Sequence, residues 1–140
     1  MDGGMLLDLG HKVNKCDFLC ENLDGREIHL IEMKHELLDK AYNQLQGTPG
    51  AIKTYTEYGE IFEELDCLDA YIVSPGAQRI PDVTKSEPCK KLCKMLAKHS
   101  GKRVDNMFKL LNFVKVVQKN AGESNIEGRI LCSNDKPLEF

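Results

Sequence analysis

The dipeptide Asp24-Gly25 constrains the fold of this 140-residue chain more than any other feature. It lies between two apolar runs, Lys15-Cys16-Asp17-Phe18-Leu19-Cys20 and Leu30-Ile31-Glu32-Met33-Lys34. Asp-Gly between such runs signals a two-residue hairpin turn. With that turn, Leu23 pairs with Arg26, and counting outward sets Asp17 opposite Glu32. Paired residues of an antiparallel ladder share a face, and Lys34, two beyond Glu32, shares it too. Leu19, Ile28 and Leu30 fall on one face of the hairpin, and Phe18, Ile31 and Met33 on the other. Both faces are apolar near the middle, which points to a layered α/β domain rather than an open meander.

Two carboxylates and an ammonium therefore meet at the open end of one hairpin. Like charges placed opposite each other on a sheet repel, and a divalent cation between them reverses the sign. Mg²⁺ is held by one or two carboxylates together with water and phosphate. A lysine beside it can orient or deprotonate water, or stabilise developing negative charge. The set suits phosphodiester hydrolysis. The same three charges are also compatible with a solvated strand end.

Lys15 to Leu19, then Ile31-Glu32-Met33-Lys34, then Lys40-Ala41-Tyr42-Asn43-Gln44-Leu45 resemble the PD-(D/E)XK nuclease superfamily, of restriction-endonuclease-like fold. That family carries an Asp on one strand, Glu-x-Lys on the next and often a Gln on the following helix. The resemblance implies a mixed sheet flanked by helices on both faces. It also implies that Asp17, Glu32 and the Met33 carbonyl bind Mg²⁺ (or Mn²⁺), that Lys34 manages the attacking water, and that Gln44 steadies the site. Its motifs span residues 15–46, with a weaker match to about residue 76. The family core usually opens with a helix. Residues 1–16 contain Gly3, Gly4 and Gly10 and suit only a short strand near Met5–Leu9. The expectation is a Mg-dependent nuclease acting on DNA, working as a homodimer if both strands of a duplex are cut. The alternative is an inactive, shortened nuclease fold that serves as an interaction module.

Further along, Leu37, Leu38, Ala41 and Leu45 predict a helix over 36–46. Gly47-Thr48-Pro49-Gly50 then breaks the chain, and a second helical stretch follows at about 51–65. Asp69–Ser74 reads as a buried strand, so strand, helix and strand form a crossover. Ser86-Glu87-Pro88 starts a helix. Its apolar side carries Cys89, Leu92, Cys93 and Leu96, and Ser100-Gly101 closes it. Residues 104–118 fit either helix or strand, with a final strand favoured near 111–118. The expectation is one domain over 1–119 and a flexible tail over 120–140.

Net charge is −3 but unevenly spread. Residues 17–69 hold 13 acidic and 4 basic side chains, whereas residues 79–119 hold 11 basic and 3 acidic. Lys90, Lys91, Lys94 and Lys98 form a basic helix face that could grip a phosphate backbone; it is equally a solvated lysine face.

The six cysteines include two C-x3-C pairs. Cys16 and Cys20 on a strand stand about 13 Å apart, too far to share one metal. That spacing favours reduced thiols over structural zinc. His29 faces Cys20, but no orienting acid for a Cys–His couple is evident in the sequence. With no long apolar span and no secretion signal, the expected compartment is the cytoplasm.

Overall fold

The computed structural model describes residues 4–6, 15–22, 26–33, 38–57, 59–74, 82–101, 105–116, 125–126, 129–132 and 137. Its centre is a mixed sheet of seven strands in the order β1-β2-β3-β4-β5-β7-β6. The strands are β1 (Gly4–Leu6), β2 (Phe18–Asn22), β3 (Glu27–Met33), β4 (Cys67–Ser74), β5 (Leu111–Val116), β6 (Asn125–Ile126) and β7 (Arg129–Cys132). Helix α1 (Leu38–Tyr55) joins β3 to β4, and α2 (Glu87–His99) lies between β4 and β5. β1, β2 and β3 pair antiparallel, and β3, β4 and β5 pair parallel.

The β2–β3 hairpin has the register that Asp24-Gly25 implies. Phe18 faces Ile31, Leu19 faces Leu30 and Cys20 faces His29. The turn at 23–25 lies outside the described residues. Arg26, next to it, has a φ of 51°, and its carbonyl accepts the Asp66 N–H at 2.8 Å. The hairpin is thereby tied to the chain entering β4.

The main core lies between one sheet face and both α-helices. Leu19, Ile28, Leu30, Leu68, Ala70 and Ile72 meet Ala41, Tyr42, Leu45 and Ile52 of α1 and Cys89, Leu92, Cys93 and Leu96 of α2. Burying a large aliphatic side chain contributes roughly 1.5–3 kcal/mol, so this layer dominates stability. The fold is α/β, with a mixed sheet flanked by helices. The expectation had helices on both faces; among the described residues both α-helices lie on one. The reason is topological. β3, β4 and β5 are added in one direction, and parallel crossovers are almost always right-handed, which brings successive crossover helices to the same side. The other face carries a smaller cluster of Tyr71, Val73 and Val114, with Ile31, Ile130 and Cys132 packed against it.

Three expectations need correction. The helix expected over 36–46 continues through Pro49 to Tyr55. Proline removes one ladder hydrogen bond from a helix interior. Here the turn is held by Thr48, whose hydroxyl donates to the Gln44 carbonyl at 2.9 Å and accepts the Cys16 N–H at 2.8 Å. Beyond α1, the second helical stretch reduces to a 3₁₀ turn at Gly59–Phe62. The tail expected over 120–140 contributes β6 and β7, the latter parallel to β5 through Val114↔Ile130 and Val116↔Cys132. Its strand character comes from a partner distant in sequence.

Ser86 caps α2 as expected, accepting the Cys89 N–H at 3.3 Å. The ambiguous 104–118 stretch resolves into a 3₁₀ turn at Met107–Leu110 followed by β5.

Candidate functional site

Asp17 occupies a bend immediately before β2. Its side chain extends the hairpin where the backbone ladder stops, since Asp17 Oδ2 accepts the Met33 N–H at 2.9 Å. Glu32 is 1 % exposed on the helix-bearing face of β3. Both residues stand where the parallel strands β3 and β4 end, the edge at which open α/β sheets bind ligands.

Cys16 joins this pair. Its thiol is buried and donates to the Phe18 carbonyl at 3.2 Å. Burial first, and then the carboxylates of Glu32 and Asp17, push the thiol up to about 12. Thr48 holds the Cys16 backbone and bonds the carbonyl of Gln44, so α1 docks against the strand entrance at these two residues. Gln44, half-buried, is thus fastened one helical turn from the Cys16 contact. Lys34 follows β3 directly but lies outside the described residues. Met33, whose carbonyl is the third expected ligand, keeps an exposed side chain.

The described site is therefore the two carboxylates of Asp17 and Glu32 beside the Cys16 thiol, with Gln44 on the adjoining helix. Among the described residues no group of three or more His, Cys, Asp and Glu side chains is placed to hold a metal ion. A two-carboxylate set still matches the protein share of a Mg²⁺ site, which water and phosphate complete.

Thr48 and Cys16, which motif reading missed, tie α1 to the strand entrance. A buried threonine beside a proline in α1 is their only sequence signal. Thr48→Val leaves the buried Cys16 N–H without its acceptor and is expected to cost about 1–3 kcal/mol by urea denaturation.

Cys16 also sets a pH response. The unfolded thiol releases its proton near 9.0, whereas the folded thiol keeps it to about 12. The native state is thus fully stabilised below the lower value and loses stability as pH rises through that window. Cys20 and Cys132 are raised as well, by burial. Thermal melts across the window should show a falling midpoint, and Cys16→Ala should flatten the fall.

On the opposite face, His29 has the acid partner that was not evident in the sequence. Its Nδ1 lies 2.5 Å from Asp69 Oδ1, and the Tyr71 hydroxyl donates to Asp69 Oδ2 at 3.1 Å. The other nitrogen, Nε2, lies 3.6 Å from Glu27 Oε2, and Cys20 is nearly buried. The imidazole is a bridge between carboxylates of adjoining strands rather than a base serving a thiol.

All six cysteines are free. Cys89 and Cys93 share a hydrogen bond in the core, which together with burial holds the Cys93 thiol far up. On the outer side of α2, Lys91, Lys94 and Lys98 are exposed, while half-buried Lys90 pairs with Glu87 at 3.2 Å. Among the described residues no helix is long and apolar enough to cross a membrane.

No protein-family model, curated protein or solved structure matches the chain.

Proposed function

We propose that the chain is a Mg²⁺-dependent nuclease of the PD-(D/E)XK type that hydrolyses phosphodiester bonds, with DNA the favoured substrate. One observation carries this reading: Asp17, locked to the Met33 N–H, and Glu32 stand together at the carboxyl end of parallel strands. The reading is further supported by the chain order, with Asp17 just before β2, Glu32 on β3 and Gln44 on the following helix α1.

Asp17, Glu32 and the Met33 carbonyl would hold the cation, which supplies charge neutralisation at the phosphate when bound. Lys34 orients or deprotonates the water, and Gln44 fixes the helix side of the site. The lysines of α2 bind backbone phosphate without reading bases. A cytoplasmic location agrees with six free cysteines. A homodimer would place two such sites on a duplex.

The direct test of the metal centre is Mn²⁺ titration by calorimetry. The wild type should bind one or two ions at the carboxylate pair. Asp17→Asn should weaken binding about tenfold or more, and an unchanged isotherm contradicts the assignment.

A further inference from the structure

Two adjoining hollows open on the outer side of α1 and α2, about 510 and 420 Å³ in volume, and Asp17 and Glu32 line neither. Pro49, Gly50, Lys98 and His99 line both. The smaller one adds Lys94 and no carboxylate. The larger one adds Lys53, Phe62, Glu63 and Glu64.

Gly50 is the informative residue. Glycine inside a helix costs about 1 kcal/mol relative to alanine. Here neither backbone nor packing requires it, since Gly50 sits in α1 and an added Cβ would meet nothing within 4 Å. What its missing side chain does is leave the floor of the cleft bare. The cations around that floor are also distinctive. Lys85 and Lys90 are paired with Asp82 and Glu87. Lys53, Lys94 and Lys98 form no ion pair among the described residues. The His99 and Phe62 rings meet at 61° with centroids 6.2 Å apart, and His99 lines both hollows beside Lys98.

One hollow is thus lined by lysines without a carboxylate, the other carries Glu63 and Glu64 beside Lys53 and Phe62, and Lys98 and His99 are common to both. We propose that the cleft binds a nucleotide unit whose base carries an exocyclic amine. The phosphate lies against Lys94 and Lys98, the base stacks on His99, and the amine donates to Glu63 or Glu64. Carboxylates accept from such amines, as they do from the amine of cytosine, and stacking on an aromatic ring supports any base. A thymine or uracil presents a carbonyl there and faces repulsion. The unit is either a free nucleotide or the phosphorylated end of a strand.

The test is binding with chelator present, so that the metal centre plays no part. The probes are AMP, UMP and a 5′-phosphorylated oligodeoxyadenylate, measured by calorimetry or fluorescence anisotropy. AMP is expected to bind about tenfold more tightly than UMP. Lys98→Glu should weaken AMP about tenfold or more, and Gly50→Phe, which fills the cleft, should abolish binding. If Gly50→Phe does not fold, as read by circular dichroism, Lys98→Glu and the comparison of AMP with UMP decide. Binding of AMP identifies a free nucleotide as ligand, and binding of the oligonucleotide alone identifies a strand end; either supports the proposal. No binding of either at millimolar concentration overturns it, as does binding that Lys98→Glu leaves unchanged or in which UMP equals AMP.

Discussion

Replacing Glu32 by glutamine is expected to lower metal-dependent cleavage by about a thousandfold or more, with little loss of fold. The substitution keeps the shape of a side chain that is 1 % exposed and removes its charge. A metal ligand contributes several kcal/mol of transition-state stabilisation, and each 1.36 kcal/mol is tenfold in rate. The measurement is initial rate against Mg²⁺ and Mn²⁺ concentration. A variant with wild-type rate and unchanged metal dependence would remove Glu32 from the centre. A variant with lower metal affinity but restored rate at high metal would make Glu32 a binding rather than a catalytic group.

The largest expected effect on stability comes from Gly101→Ala. Gly101 follows α2 where the chain passes the turn that leads into β4. A Cβ there would stand 2.2 Å from the Leu65 carbonyl oxygen, a backbone atom that cannot rotate away. The same turn receives the Ser100 hydroxyl at the Asp66 carbonyl, 3.4 Å away, and the Asp66 N–H bonds Arg26. Movement at Leu65 is therefore felt by both α2 and the hairpin. The expected cost is about 2–3 kcal/mol, the scale of overpacking. Gly50→Ala is the internal control. It has open space and should stabilise by up to about 1 kcal/mol through helix propensity. Chemical denaturation of the two variants should therefore give opposite signs. Equal effects would contradict the placement of α2 over the Leu65 turn.

The hairpin register was legible because a two-residue turn and the period of two determine every cross-strand pair once one pair is known. Ser86 and the apolar spacing from Cys89 to Leu96 made α2 legible for a similar reason, since cap and stripe are local signals. The continuation of α1 through Pro49 was not legible, because it depends on Thr48 bonding to Cys16, 32 residues away. The His29–Asp69 contact was hidden by the parallel register of β3 and β4, which a crossover helix sets and no short motif encodes. For the same reason β7 reads as tail until β5 is in place. Of the candidate site, the opposition of Asp17 and Glu32 was legible in the hairpin. The docking of α1 against Cys16 through Thr48 was not legible, because it joins residues 32 apart in sequence.

The most direct test of the central reading is cleavage of plasmid and single-stranded DNA with Mg²⁺ or Mn²⁺, wild type beside Lys34→Ala. Metal-dependent nicking is expected from the wild type and should disappear in the variant while the fold persists. Equal activity in both would trace the cleavage to a contaminant. A well-folded wild type without activity would contradict the nuclease reading and leave the fold as an interaction module.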